Sequence, residues 1–146
     1  MPTPERFRVL FLCLGNACRS PIAESIARRD APDILDPSSA GLFPLGYIPP
    51  ATLHALHSNG YSSEALSSKP ITREAWDAAN LIINLTGRRS DSIFDQSDKV
   101  EDWDVTDPYA GAPEVYQQTL EDIAARVHEL ADRLRLQRTT SHAQKG

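Results

Sequence analysis

Cys13 and Cys18 stand five residues apart, with Arg19 directly after the second and Ser20-Pro21 beyond it. Leu14, Gly15, Asn16 and Ala17 lie between the cysteines. A thiol, a guanidinium and a short, pliable stretch of backbone are parts that suit a dianionic phosphate. A helix starting after the loop offers unpaired amide hydrogens and the positive end of its dipole. Gly15 and Asn16 tolerate the left-handed angles that curl successive amides into an anion nest. Arg19 can hold two phosphate oxygens at once with its planar fork. The same positive field stabilises a thiolate at the mouth of such a loop. The Ser20 hydroxyl is spaced to donate to the Cys13 sulfur.

Simpler readings compete with this one. Cys-x5-Arg alone arises by chance in about one chain in ten at average residue usage. A cysteine at a strand end is also a plausible inert core residue. The Gly-Asn pair, the Ser-Pro helix start and the preceding apolar run weigh against that alternative, because context is what gives a motif its meaning. Zinc is weaker still. No second ligand pair stands near Cys13 and Cys18, and His54, His57, His128 and His142 lack metal-site spacing.

A phosphate-ester leaving group needs a proton, and no histidine is evidently placed to supply it. Asp107 closes the acidic run Glu101-Asp102-Trp103-Asp104-Val105-Thr106-Asp107. Like charges in such a run favour keeping a proton on a carboxyl. The competing reading is a turn start in a solvated loop, since Pro108 follows.

These residues require a frame. Arg8 to Leu14 is a continuous apolar run, the pattern of a parallel strand covered on both faces. Ser20-Pro21 predicts a helix start with proline at the first helical position, followed by a stripe of Ile22, Ala23, Ile26 and Ala27. A second strand is expected over Ile34 to Ala40, then a Gly/Pro-rich loop from Gly41 to Pro50. A helix over Ala51 to Ser58 should stop at Asn59-Gly60. Thr72 should cap a short helix to Trp76. Asn80 to Leu85 reads as a buried strand, Gly87 to Phe94 as a short helix, and Lys99-Val100 as the opening of a short strand. Pro113 begins the best helix, with Tyr116, Leu120, Ile123, Val127, Leu130 and Leu134 recurring every three or four residues. Strands alternating with helices predict an α/β fold: one open parallel sheet with helices on both faces, three layers of Rossmann or flavodoxin-like type. Ligands bind such sheets at the carboxyl ends of the strands, where the Cys13 loop falls.

At 146 residues the chain fits one domain, expected over 6–136, with 137–146 as a flexible tail. Its 40% hydrophobic and 24% charged residues are ordinary for a globular protein. A formal net charge of -5 argues against a nucleic-acid binder. No apolar run approaches a membrane span, and the start MPTPERFRV lacks a secretory signal. Two closely spaced cysteines suit a reducing cytoplasm. The expectation is a cytoplasmic monomer without cofactor, metal, nucleic acid or membrane.

The stretch VLFLCLGNACRSPIAES, the segment SSAGL from Ser38 to Leu42, the Asp107-Pro108-Tyr109 element and the helix Pro113 to Arg135 resemble the low-molecular-weight protein-tyrosine phosphatase family. Its sister branch includes arsenate reductases. The resemblance implies Cys13 as the nucleophile that forms a cysteinyl-phosphate. It implies Arg19 as the residue binding the phosphoryl group, with Leu14 to Ser20 forming the phosphate cradle, and Asp107 as the general acid. Asn16, Ser20 and Ser39 match the set that holds the loop in shape. Tyr109 matches a wall beside the substrate ring, with Phe43 or Tyr47 opposite, and Cys18 matches a second cysteine able to pair reversibly with the nucleophile. The implied partner is a phosphorylated protein or small phosphate ester.

Two positions depart from the pattern. Ala17 stands where tyrosine phosphatases of the family often carry Ile and the protein-arginine phosphatase branch carries Thr. Ala110 replaces a second aromatic. The alternatives are therefore a protein-arginine phosphatase, an arsenate reductase using an external thiol, or a phosphate-binding module. Thr86 to Val105 contains no cysteine, which disfavours a thioredoxin-linked relay.

Overall fold

The computed structural model describes residues 6–88 and 98–145, with side chains through residue 139. Four parallel strands are ordered β2-β1-β3-β4: β1 (Phe7–Cys13), β2 (Leu35–Gly41), β3 (Leu81–Asn84) and β4 (Val100–Asp102). The helices are α1 (Arg19–Asp30), α2 (Pro50–Ser58), α3 (Arg73–Ala78) and α4 (Pro113–Lys145). This is the α/β architecture that the alternation of strands and helices predicts.

β1 lies in the interior of the sheet and is apolar on both faces, so successive side chains feed two cores. Val9, Phe11 and Cys13 point into the larger core with Ile22 and Ile26 of α1 and Ile123, Val127 and Leu130 of α4. Leu10 and Leu12 point the other way, onto Trp76 of α3 and Ile82 of β3. Phe11 also meets Trp103 with ring centroids 6.0 Å apart, which ties the segment after β4 to the sheet.

The far end of α1 is clamped to α4 by polar contacts. Asp30 accepts from Arg29 Nε at 2.7 Å and from the Tyr61 hydroxyl at 2.9 Å, and lies 2.8 Å from His128 Nε2. Burial pushes the Asp30 carboxyl up, but hydrogen bonds from Arg29, His128 and Tyr61 outweigh it and hold the group below the usual carboxylate value.

Two local expectations are corrected. α1 begins at Arg19, with Cys18 as its N-cap, so Pro21 is the third helical residue rather than the first. The Ser20 hydroxyl does not cap the helix because it is engaged with Cys13 and Asn16. α4 continues to Lys145 instead of ending near Arg135. No Gly or Pro interrupts that stretch, and Arg138 and Arg135 anchor it to Asp33. Thr72 does cap α3, accepting from Ala75 N at 3.1 Å, and Gly60 closes the segment after α2 at φ 81°. The helix expected over Gly87 to Phe94 falls largely outside the described residues. Among the described residues no helix is long and apolar enough to cross a membrane.

The parallel order sets Cys13 opposite Gly41, each the last residue of its strand. The chain leaving β4 runs on through Val105 and Asp107 before α4. Three strand ends thus supply one cleft.

Candidate active site

The cysteine loop closes through a chain of buried hydrogen bonds whose directions can be read off. Asn16 Oδ1 accepts the backbone N–H of Lys69 at 3.0 Å, which fixes the amide orientation. Its Nδ2 then donates to Ser20 Oγ at 2.8 Å and Ser39 Oγ at 3.0 Å. Ser39 passes its own hydrogen to the buried carboxylate of Glu24, which also pairs with Arg28 at 2.7 Å. Ser20 Oγ already accepts from Asn16, so its single hydrogen is left for Cys13 Sγ, 2.9 Å away. Cys13 Sγ is thereby placed as the acceptor of that hydrogen.

Of the two residues expected to supply left-handed angles, only Asn16 does so, at φ 46°. Gly15 needs no such angle, and an added Cβ there would meet only ordinary contacts. Sequence reasoning also missed Glu24. The available signal was the i, i+4 row Ser20, Glu24, Arg28, which sets a charge within an otherwise apolar helix face.

A second segment is laid along the loop. Leu42 N donates to Cys13 O, Phe43 N to Leu14 O and Leu45 N to Gly15 O, at 3.2, 2.8 and 2.9 Å. That close approach requires a glycine at the hinge. A Cβ on Gly41 would lie 2.7 Å from Asn16 N and 2.9 Å from Leu14 O, both backbone atoms that cannot swing aside. Gly41→Ala is therefore expected to displace the loop and lower kcat/KM by about 100-fold, the scale of an ångström-sized misplacement. Steady-state rates on an aryl phosphate, with a denaturation curve to confirm folding, would check this. Near-native kcat/KM in a folded variant would refute it.

Arg19 is only 6% exposed. Its Nη1 donates to Val105 O at 3.3 Å and its Nη2 lies 3.6 Å from Asp107 Oδ2. Its Nε is buried and has no hydrogen-bond partner among the described residues. A buried donor left unmatched costs free energy unless something accepts from it, and an anion in the loop would do so. Asp107 turns one oxygen to the backbone N–H of Tyr109 at 3.1 Å and keeps the other toward Arg19. The resulting cleft of about 250 Å³ is lined by Cys13, Leu14, Gly15, Ala17, Cys18, Arg19, Phe43, Leu45, Asp107 and Tyr109. Of the two candidate opposite walls, Phe43 reaches the cleft and Tyr47 does not. Leu45 was not anticipated, because nothing local marks it.

Cys18 also lines the cleft but takes its partners from outside this hydrogen-bond chain. Thr52 Oγ1 supports the loop from behind, donating to Ala17 O at 2.9 Å, and lies 3.5 Å from Cys18 Sγ. The Tyr116 hydroxyl is 3.6 Å from the same sulfur. Burial pushes the Cys18 thiol up against the opposing hydrogen bonds, and burial together with Cys18 pushes Tyr116 up to about 12. Both cysteines are free. Among the described residues no group of His, Cys, Asp or Glu is arranged to hold a metal ion.

The profile of the low molecular weight phosphotyrosine protein phosphatase family matches residues 8–140. A protein-arginine-phosphatase of Bacillus subtilis is 32% identical, over 89% of this chain and 98% of the relative. A low molecular weight protein-tyrosine-phosphatase, PtpB, of Staphylococcus epidermidis is 29% identical, over 88% of this chain and 96% of the relative. The solved arginine phosphatase YwlE of Geobacillus stearothermophilus superposes with a TM-score of 0.82 at 26% identity, covering 92% of this chain and 96% of that one.

Proposed function

The chain belongs to the low molecular weight phosphotyrosine protein phosphatase family, and from that premise we propose that it removes phosphate from phosphotyrosine in proteins through a covalent phosphocysteine. The observation that carries the mechanism is the ordered hydrogen-bond chain ending with Ser20 donating to Cys13 Sγ. The Cys13 thiolate attacks phosphorus, an S–P bond forms, and the P–O bond to the leaving group breaks. Asp107 gives its proton to the departing oxygen. Water then attacks the phosphocysteine and yields a proton to Asp107, releasing phosphate and restoring the thiolate. Arg19 and the amides of Leu14 to Ser20 hold the equatorial oxygens while charge builds on them.

Phosphotyrosine is favoured by the walls. Phe43 and Tyr109 flank the mouth, 66% and 54% exposed, with Leu45 below them. Flat apolar surfaces suit a phenyl ring. The arginine reading has its own support in the 32% identical relative. Ala17 offers neither a bulky contact nor a hydroxyl toward either group. Parallel assays of a phosphotyrosine peptide, a phosphoarginine peptide and arsenate with an added thiol decide the matter. The phosphotyrosine peptide should give the highest kcat/KM, and a clear preference for either of the others would overturn the assignment.

A monomer in a reducing cytoplasm belongs to the same proposal, with a redox role for Cys18. Peroxide oxidises the Cys13 thiolate to a sulfenic acid; the Cys18 thiol then displaces water from that sulfur and a disulfide forms. Peroxide-treated protein should regain most activity with dithiothreitol, whereas Cys18→Ser should stay largely inactive. Equal recovery of both, with no Cys13–Cys18 bond found by mass spectrometry, would leave Cys18 a packing role only.

A further inference from the structure

One cation beside the Phe43 wall of the cleft is unused by the phosphate chemistry. The Arg88 guanidinium lies 5.3 Å from the centroid of the Phe43 ring. Asp102 and Asp104 share a shallow depression with Arg88, yet among the described residues no carboxylate pairs with its guanidinium. Both members of the pair are tied to the frame. Arg88 N donates to Thr86 Oγ1 at 2.9 Å and Arg88 O accepts from Asn84 Nδ2 at 2.7 Å, just past the end of β3. Phe43 N donates to Leu14 O at 2.8 Å, so the main chain that carries the ring is tied to the phosphate loop itself.

A guanidinium stacked on an aromatic face keeps its edge donors available, and that edge matches a carboxylate in two-pronged fashion. The protein as a whole carries a net charge of -5, which repels acidic partners at long range. A local cation beside the wall therefore discriminates by what lies next to the phosphorylated residue. We propose that Arg88, held over Phe43, reads an Asp or Glu side chain directly flanking the phosphorylated residue of the substrate protein. The inference rests on the phosphotyrosine reading above and deepens it.

The contact is exposed and open to screening, so its effect should be modest, about 3- to 5-fold. The test uses the full chain and phosphotyrosine peptides that differ only in a flanking Asp, Ser or Lys, with p-nitrophenyl phosphate as a substrate lacking flanks. Arg88→Ala should lose about 3- to 5-fold in kcat/KM on the Asp peptide alone. Arg88→Glu should reverse the order and favour the Lys peptide. Arg88→Lys should retain part of the preference, and about 0.5 M salt should weaken it in the wild type. Equal losses on all four substrates would assign Arg88 to positioning Phe43 only, and no change on any would remove it from recognition; either overturns the proposal. Turnover of p-nitrophenyl phosphate without turnover of any phosphotyrosine peptide would instead overturn the phosphotyrosine reading. The same flanking series on phosphoarginine peptides then decides the role of Arg88 independently.

Discussion

Cys13→Ser is expected to abolish turnover, with kcat falling by about 10⁴-fold or more, the scale seen when a covalent nucleophile is removed. The substitution keeps a hydrogen-bonding atom facing Ser20, so the Asn16–Ser39–Glu24 chain and the cradle should survive. What is lost is a group that ionises readily, because a hydroxyl stays protonated where a thiol does not. Calorimetry with inorganic phosphate should show binding close to wild type. Acid-quenched wild-type enzyme should carry phosphate on Cys13 when digested and examined by mass spectrometry. Phosphate found on another residue, or a serine variant with normal rates, would overturn the covalent mechanism.

Asp107→Asn should slow hydrolysis of esters with poor leaving groups by about 10²–10⁴-fold, the usual contribution of a positioned acid. Activated aryl phosphates should suffer much less, since their leaving oxygens need little protonation. The isosteric change is chosen with the local geometry in mind. An asparagine oxygen can still accept the Tyr109 N–H, so the turn over 107–109 should persist. The charge facing Arg19 Nη2 disappears, which should leave phosphate binding unweakened. A leaving-group series on the two proteins tests this directly. A loss that is the same for every leaving group would give Asp107 a role in shaping the turn instead.

The parts of this site visible in the sequence are those whose signal is local. The apolar run of β1, the Cys13-to-Ser20 loop and the start of α4 each declare themselves within a few neighbouring residues, because strand and helix periodicities act over that range. The Asn16, Ser20 and Ser39 set was reached through family resemblance, and the structure brings all three together. The supports that escaped notice are remote or featureless. Lys69 acts on Asn16 through its backbone N–H, 53 residues later, and a backbone group leaves no trace in residue type. Thr52 and Leu45 reach the loop only after α2 and the segment following β2 have packed. The misplaced start of α1 has a related cause: Ser20 has the chemistry of a cap, but its hydroxyl is committed to a tertiary partner. The overlong α4 shows that sequence stops are easier to read when present than when lacking, since nothing after Arg135 breaks the helix.

The Arg19 contact to Val105 O spans 86 residues, and this bears on how the enzyme comes to life on the ribosome. Cys13 emerges well before the carbonyl of Val105 that holds Arg19 and before the carboxylate of Asp107. Pairing over such separations forms late, because the closure entropy of the intervening chain must be met before the contact exists. Until then the nascent polypeptide presents the Cys13 loop without the contacts that close the cleft beside it. The contacts of Arg19 to Val105 and Asp107 thus close the cleft only once the segment leaving β4 has been made and packed.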